Sequence, residues 1–328
     1  MSLHVLKKAL ATMVVASLPM AALADNTEGV KHPLWYKEPS EKTMKLAAID
    51  DLTDVVVSDG QRGEEGFPAS KIADLEAISV LKPDLLVSIP LNGKTTASAY
   101  KRLAEAGTKV VFIDQAVEGM DPGKDYAAII SSDNLALGMY LADLLAESID
   151  YKGNVAALYF ANDFYVTNLR YEGFIARLRA KYPDVKLVAA AGHDDPNKGQ
   201  EVAQGVLARY PDIDGMYASW SIPAMGAVTA ANVNGRTPAD FKIVNENFDQ
   251  IVALNMAQNG FIAGISSQRP YDQGTAEAKI GALTLIGETV PPYVVVPPLA
   301  VKRANLPQSY KTIYRIDLPQ EMNSALSQ

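Results

Sequence analysis

The side chains best placed to contact a small molecule lie where predicted strands end. Trp220 lies two residues after the end of the apolar run at residues 215–218 and precedes a predicted helix that contains Pro223. In open parallel α/β sheets, ligands bind outside the carboxyl ends of the strands. An indole at such a position offers an aromatic face to the C–H edges of a sugar, while amides or carboxylates bond to its hydroxyls. The competing interpretation of Trp220 is core packing, the usual role of large aromatic side chains.

The motifs of common enzyme classes are missing. The chain has no G-x-S-x-G elbow, no H-E-x-x-H helix and no G-x-G-x-x-G turn. The run Asn92-Gly93-Lys94-Thr95 is similar to the second half of a P-loop, but the first glycine of that motif would fall at Ser88, inside a predicted strand. A helix start that needs Gly93 for its turn is the simpler interpretation. We therefore predict that this protein is not an enzyme.

Metal and cofactor sites are not predicted either. Cysteine is absent, which removes disulfides, thiolate catalysis and cysteine-ligated zinc. The run Asp194-Asp195-Pro196-Asn197 lacks the glycine and the terminal glutamate of a calcium loop. It is more typical of a helix N-terminus, with Asp195 as the cap and Pro196 at the first helical position. Paired carboxylates of a glycosidase remain an open alternative, although nothing in the sequence selects a pair.

The elements that must position these residues alternate between apolar strands and amphipathic helices. A helix over 69–81 follows a strand near 54–57, and a helix over 95–106 ends at Gly107. Strands that are apolar throughout and separated by helices indicate parallel sheets covered on both faces. The predicted fold class is α/β with two doubly wound lobes, since the strands are too many for one ordinary sheet. The other predicted strands lie at 85–87, 110–113, 127–130, 154–159, 186–191, 214–218, 242–246, 262–266 and 293–296.

The first 24 residues have the pattern of a secretory signal peptide. Lys7 and Lys8 precede an apolar run that ends in the small-x-small sequence Ala22-Leu23-Ala24. We predict cleavage before Asp25 and release into the periplasm of a Gram-negative bacterium. Removing two lysines and no acid leaves 28 basic and 38 acidic residues, a net charge of −10. An acidic balance of this size argues against a nucleic-acid partner.

Five short motifs follow one another along the chain: Phe112-Ile113-Asp114, Ser132-Asp133-Asn134, Arg170-Tyr171-Glu172-Gly173-Phe174, Tyr217-Ala218-Ser219-Trp220 with Pro223-Ala224-Met225-Gly226-Ala227, and Gln268-Arg269-Pro270-Tyr271-Asp272-Gln273-Gly274. In this order and spacing they resemble the motifs of type I periplasmic sugar-binding proteins of the ribose-binding kind over nearly all of the mature chain. That family has two similar lobes, joined by a three-segment hinge, that close on a ligand. The resemblance implies crossovers near Asp114, Gln268 and Pro297. It divides the chain into a first lobe of 25–114 and 269–297 and a second lobe of 115–268 and 298–328.

In the first lobe, the resemblance implies ligand contacts from His32, Trp35, Asn92 and Asp114. His32-Pro33-Leu34-Trp35 matches the family's Asn-Pro-Phe-Phe loop, so Trp35 would stack on the ligand and histidine replaces the customary asparagine. Asn92 occupies a position often held by an aspartate that grips hydroxyls. Asp114 lies at the implied first crossover.

In the second lobe, the implied contacts come from Asn168, Trp220, Gln268 and either Asn247 or Asp249. Asn168 stands where many members have a ligand-binding arginine, and Trp220 stands where ribose binders have asparagine. Gln268 matches the hinge glutamine, whereas Arg170 matches a second arginine with a structural role. Neutral amides and two indoles suit an uncharged polyhydroxy ligand.

One departure from the family concerns its first strand, which is central in the sheet of the first lobe. Only the polar residues 25–31 separate the predicted cleavage site from His32. The first strand is therefore expected to be short or missing. Such a gap would leave unpaired backbone groups in the sheet.

The resemblance implies a monomeric binding protein that delivers a small neutral sugar or polyol to an ABC permease in the inner membrane. A sensory protein that presents its ligand to a chemoreceptor or histidine kinase is the alternative, because it would use the same fold. A sugar-responsive repressor core shares the architecture too, but the signal peptide, the acidic balance and the lack of a helix-turn-helix argue against it.

Overall fold

The computed structural model describes the backbone of residues 55–58 and 67–70, and the backbone and side chains of 71–90 and 92–327. The predicted signal peptide and the loop with His32 and Trp35 lie outside the described residues. Among the helices that the structure describes, none combines the length and the apolar character needed to cross a bilayer.

Eleven strands and ten α-helices alternate along this described part of the chain. The strands are β1 Val55–Ser58, β2 Leu85–Ser88, β3 Lys109–Ile113, β4 Ala128–Ser132, β5 Gly153–Phe160, β6 Val185–His193, β7 Gly215–Ala218, β8 Lys242–Glu246, β9 Ile262–Ser267, β10 Tyr293–Val296 and β11 Leu299–Val301. The helices are α1 Phe67–Leu81, α2 Ala97–Glu105, α3 Asn134–Ser148, α4 Tyr165–Lys181, α5 Gly199–Arg209, α6 Ser221–Val233, α7 Gln250–Ala257, α8 Pro270–Leu285, α9 Leu306–Tyr314 and α10 Gln320–Leu326.

The strands form two sheets, of which the first is parallel throughout and the second is parallel apart from one edge strand. The first has the order β1-β2-β3-β4-β10 and the second the order β11-β9-β8-β7-β5-β6, in which only β11 runs antiparallel to its neighbour. Helices cover both faces, so the central strands are buried throughout, as Leu85–Ser88 and Gly215–Ala218 are. This confirms the predicted α/β class with two parallel-sheet lobes.

The strand at 128–132 corrects the predicted boundary at residue 114. β4 pairs in parallel with β3 and with β10, so it belongs to the first sheet rather than to the second lobe. The first crossover therefore leaves the end of β4 at Ser132 and enters α3 at Asn134. The other two connections between the sheets run from β9 to α8, after Ser267, and from β10 to β11, after Val296.

β1 lies directly beside β2 in the first sheet, with Val55 paired to Leu85 and Ser58 to Ser88. The sequence predicted a gap where the family's first strand would stand. Between β1 and β2 the parallel ladder is continuous, so the facing backbone groups of these two strands are paired. The segment before β1 lies outside the described residues.

Each sheet has an apolar core on both faces. In the second lobe, one core lies between β5–β9 and helices α5, α6 and α7, around Met216, Phe241 and Ile265. The core on the opposite face, around Leu141, Phe174 and Tyr217, packs α3 and α4 against the same strands. Helices thus support each sheet on both faces, and the ends of β4, β9 and β10 lead into the crossovers.

Candidate functional site

The carboxyl ends of the strands in the second sheet gather most of the candidate residues. Trp220 follows β7, Asn247 follows β8, and Gln268 follows β9. These three strands are near neighbours in the order β9-β8-β7, so their ends lie along one edge of the sheet. Because β9 leads into the second crossover, this edge faces the connections to the first lobe.

Asn247 and Gln268 are joined directly. Gln268 Nε2 donates a hydrogen bond to Asn247 Oδ1 at 3.2 Å, and both side chains are half-buried. The backbone of Asn247 is in the left-handed region, with φ of 66°, a conformation that asparagine tolerates better than most residues. The pair leaves the Asn247 amide group and the Gln268 carbonyl oxygen available, one donor group and one acceptor, to pair with hydroxyls.

Asp249 differs from Asn247 in its surroundings. Its side chain is exposed at the start of α7 and accepts a hydrogen bond from the hydroxyl of Ser221, the first residue of α6. The Asp249 carboxylate also helps to raise the pKa of Tyr314 to about 12, although burial is the larger cause. Of the two alternatives, Asn247 stands at the end of the strand, whereas Asp249 ties together two helix N-termini.

Trp220 lies in an aromatic group that the sequence analysis missed. Its ring meets Phe160 at a centroid distance of 5.1 Å and His193 at 5.6 Å, both edge to face. Phe160 ends β5 and His193 ends β6, so the three rings come from the ends of three adjacent strands. The strand-end argument that selected Trp220 applies equally to these two residues, which close the predicted strands 154–159 and 186–191.

The Trp220 side chain is partly exposed, as is that of Phe160. Large aromatic residues with a free edge at strand ends are suited to stacking on a ligand, since a core residue would be fully covered. By contrast, Tyr217, two residues before Ser219 on β7, is 1% exposed and belongs to the core.

Asn168 and Arg170 both lie on α4, but they face different surroundings. Asn168 is half-buried in the first turn, and its Nδ2 donates to Asp163 Oδ1 at 3.3 Å. Arg170 is buried and bonds to Asn134 Oδ1 at 2.8 Å and to Glu246 Oε2 at 2.7 Å. Because its guanidinium is held by these partners, Arg170 is a structural residue, as the resemblance implied, and not a free cation for an acidic ligand.

In the first lobe, Asn92 and Asp114 follow β2 and β3. The Asn92 Oδ1 accepts the backbone N–H groups of Lys94 and Thr95, each at 3.0 Å, so this side chain caps the turn before α2. The P-loop-like run is thus a helix start. Because Oδ1 is occupied, only the Nδ2 group of Asn92 remains to donate a hydrogen bond to a ligand hydroxyl.

Asp114 is 8% exposed and adopts a left-handed backbone, with φ of 67°. Its Oδ1 accepts a hydrogen bond from Ser131 Oγ at 3.0 Å, on the neighbouring strand β4. Glu277 of α8 lies near enough that the Asp114 charge adds to burial, the larger cause, in raising the pKa of the Glu277 carboxyl to about 7. Two carboxyl groups therefore lie near each other at the end of β3, beside the crossovers.

Comparison with known proteins identifies the class. Residues 29–289 match the model of the periplasmic binding protein domain. The chain belongs to this family.

Individual relatives and solved structures have low sequence identity to this chain. The ribose import binding protein RbsB of Salmonella typhimurium is 27% identical over 238 residues, which cover 72% of this chain and 76% of that protein. An ABC transporter solute-binding protein from Agrobacterium vitis, solved with α-D-tagatopyranose, superposes with a TM-score of 0.68 at 24% identity over 75% of this chain and 85% of the other. A carbohydrate transporter solute-binding protein from Agrobacterium radiobacter, solved with D-arabinose, gives a TM-score of 0.66 at 25% identity over 75% and 84%.

Proposed function

We propose that this protein is a periplasmic solute-binding protein that captures a small neutral sugar or polyol and delivers it to an ABC permease. The observation that carries the proposal is the set of side chains at the carboxyl edge of the second sheet. Partly exposed Trp220 provides a stacking face, while Asn247 and Gln268 provide neutral hydrogen-bonding groups. Aromatic faces with planar amides are the combination that polyhydroxy ligands require.

The charges near this edge support an uncharged ligand. Arg170 is paired with Glu246, and Arg269 is paired with Asp272 at 2.6 Å. Asp114 follows β3 and Asp249 follows β8, so a carboxylate lies after a strand end in each sheet. An anionic sugar would meet these carboxylates without a free guanidinium from either arginine to compensate for them.

Ligand capture would proceed by closure of the two lobes about the three crossovers, so that the permease reads the closed form. Arg315, at the end of α9, and Asp272, at the start of α8, already bond across the second crossover at 2.5 Å. Closure of the lobes would either keep this ion pair between Arg315 and Asp272 or break it.

The test is a thermal-shift screen of the protein lacking residues 1–24 against neutral sugars and polyols, with D-ribose, D-arabinose, D-tagatose and allitol in the first set. A ligand at about a hundred times its Kd should stabilise the protein by roughly 2.7 kcal/mol. Saturable binding in a following calorimetric titration would support the proposal. A protein that melts cooperatively and responds only to acidic sugars, amino acids or peptides would overturn it.

A further inference from the structure

Phe160, His193 and Trp220 form a closed triangle of rings in which each ring contacts the other two. The centroid distances are 5.6 Å between Phe160 and His193, 5.6 Å between His193 and Trp220, and 5.1 Å between Phe160 and Trp220. All three fall in the range at which aromatic rings attract each other. We call this group the ring triangle.

The members of the ring triangle differ in burial. His193 is 2% exposed, whereas Phe160 and Trp220 are partly exposed. His193 Nε2 also hydrogen-bonds to Ser219 Oγ at 2.8 Å, and Ser219 is fully buried directly before Trp220 in the chain. The imidazole is therefore more deeply buried than the two partly exposed rings beside it. It contacts the Trp220 indole and hydrogen-bonds to the side chain of Ser219, the residue before Trp220.

We infer that His193 is a positioning residue for ligand recognition, which holds Trp220 in place while its imidazole is neutral and releases it when the imidazole is protonated. The effect on ligand affinity rests on the proposed function, whereas the effect on the indole does not. Sequence resemblance assigned no role to His193 or to Phe160.

The charged groups around His193 act in opposite directions. Burial lowers the pKa of the His193 imidazole and outweighs the Asp195 backbone and the Asp194 and Asp195 carboxylates, which raise it. Asp194 is itself paired with Lys198 at 3.0 Å, and this pair weakens its pull on the imidazole. The imidazole is thus neutral at neutral pH, and mild acid would place a charge among apolar rings, which is costly.

The fluorescence of Trp220 tests the positioning role without a ligand. The chain has two tryptophans, so Trp35→Phe leaves Trp220 as the single indole. Since an imidazolium beside an indole quenches its emission, we expect emission to fall on acidification from pH 8 to 5, with a midpoint below about 6.5, the ordinary histidine value. His193→Phe, which keeps a ring, and His193→Gln, which keeps a hydrogen-bonding group near Ser219, should both abolish this titration.

One further variant and a folding check make the fluorescence result decisive. His32→Asn removes the other histidine of the mature chain and should leave the titration unchanged. Circular dichroism and thermal melting check that the His193 variants fold, and either variant suffices if the other does not. A constant emission in the parent, or the same titration in a folded His193 variant, would overturn the inference.

Binding of D-ribose, D-arabinose and D-tagatose, measured by calorimetry with Trp35 intact, tests the consequence for affinity. For whichever sugar binds, we expect weaker binding at pH 5.5 than at pH 7.5, by less than about tenfold because the imidazole titrates below its ordinary value of about 6.5, and no such change in His193→Phe. Equal pH dependence in both proteins would refute the link to affinity. If no sugar binds at either pH but the emission titrates, the proposed function fails for these sugars and the positioning of the indole stands.

Discussion

Arg170 and Glu246 form a buried ion pair, with 2.7 Å between Nη1 and Oε2 and side-chain exposures of 4% and 0%. Arg170 Nε also donates to Asn134 Oδ1, at the start of α3, and the Tyr217 hydroxyl donates to the other Glu246 oxygen. Asn134 begins the element that follows the first crossover, and Glu246 directly precedes Asn247. The pair therefore connects a crossover to the candidate ligand edge through fully satisfied polar groups.

Glu246→Gln is expected to lower the free energy of unfolding by about 3–5 kcal/mol, because it leaves the Arg170 charge buried without its counter-ion. Urea denaturation provides the measurement. Glu147→Gln is the matched control, since Glu147 pairs with Lys302 at 2.8 Å while both side chains are 48% exposed. The control should lose less than about 1 kcal/mol. Equal losses in the two variants would contradict a specific role for the buried pair.

Trp220→Ala should weaken binding of a neutral sugar about tenfold or more while the protein stays folded, because the substitution removes the stacking face at the sheet edge. Calorimetry measures the affinity, and thermal melting checks the fold. Tyr151→Ala serves as the control, since Tyr151 is a 53% exposed aromatic residue in the turn after α3, near the amino end of β5 and not at the carboxyl ends of the strands. Unchanged affinity in Trp220→Ala would show that the ligand edge lies elsewhere.

Gly226→Ala should destabilise the protein by about 1–3 kcal/mol, because a Cβ there would lie 2.6 Å from the backbone N of Gln200, where α6 crosses α5. Gly205→Ala is the matched control on α5, where a Cβ would meet nothing within 4 Å. The control should be neutral or up to about 1 kcal/mol more stable, as expected when alanine replaces glycine in a helix. Chemical denaturation compares the two, and equal effects would argue against the close helix crossing.

Glu277→Gln should stabilise the protein at neutral and alkaline pH. The pKa of the Glu277 carboxyl is raised from 4.5 to about 7, so the native state binds more protons than the unfolded state between these values. Stability of the parent is therefore lost as pH rises through this window, and the cost stays constant above it. The advantage of Glu277→Gln should be absent near pH 4, grow up to pH 7 and reach roughly 1–3 kcal/mol.

Denaturation of both proteins across pH 4–8 measures this difference. Glu288→Gln, in the turn after α8, is the control that removes one carboxyl elsewhere in the same lobe. An advantage of Glu277→Gln that does not change with pH would show that packing, rather than charge, explains it.

The local elements were predictable because they depend on neighbours in the chain. Alternation of apolar runs and amphipathic segments predicted the strand at 242–246 and the helix at 69–81, and the structure has them at Lys242–Glu246 and Phe67–Leu81. The strand end at Trp220 was likewise evident, since this aromatic residue lies two residues after a fully apolar run. The ligand roles of the nine candidate residues, two of which lie outside the described part of the chain, stay predictions.

The sheet to which a strand belongs was not predictable in the same way. The pattern at 127–130 predicts a strand but not its sheet, and only the pairing of β4 with β3 and β10 places it in the first sheet. The ring triangle has the same origin. Phe160, His193 and Trp220 are 27 or more residues apart in the chain, and the order β7-β5-β6 brings them together.

The sequence by itself determined the α/β class, the alternation of elements and the chemical character of the strand ends, because hydrophobic periodicity and turn residues act over a few positions. Tertiary structure alone decided the order of the strands, the position of the first crossover, the pairing of Asn247 with Gln268 and the burial of His193 behind Trp220. Each of these depends on hydrogen bonds and contacts between distant segments, whose pairing no local pattern specifies.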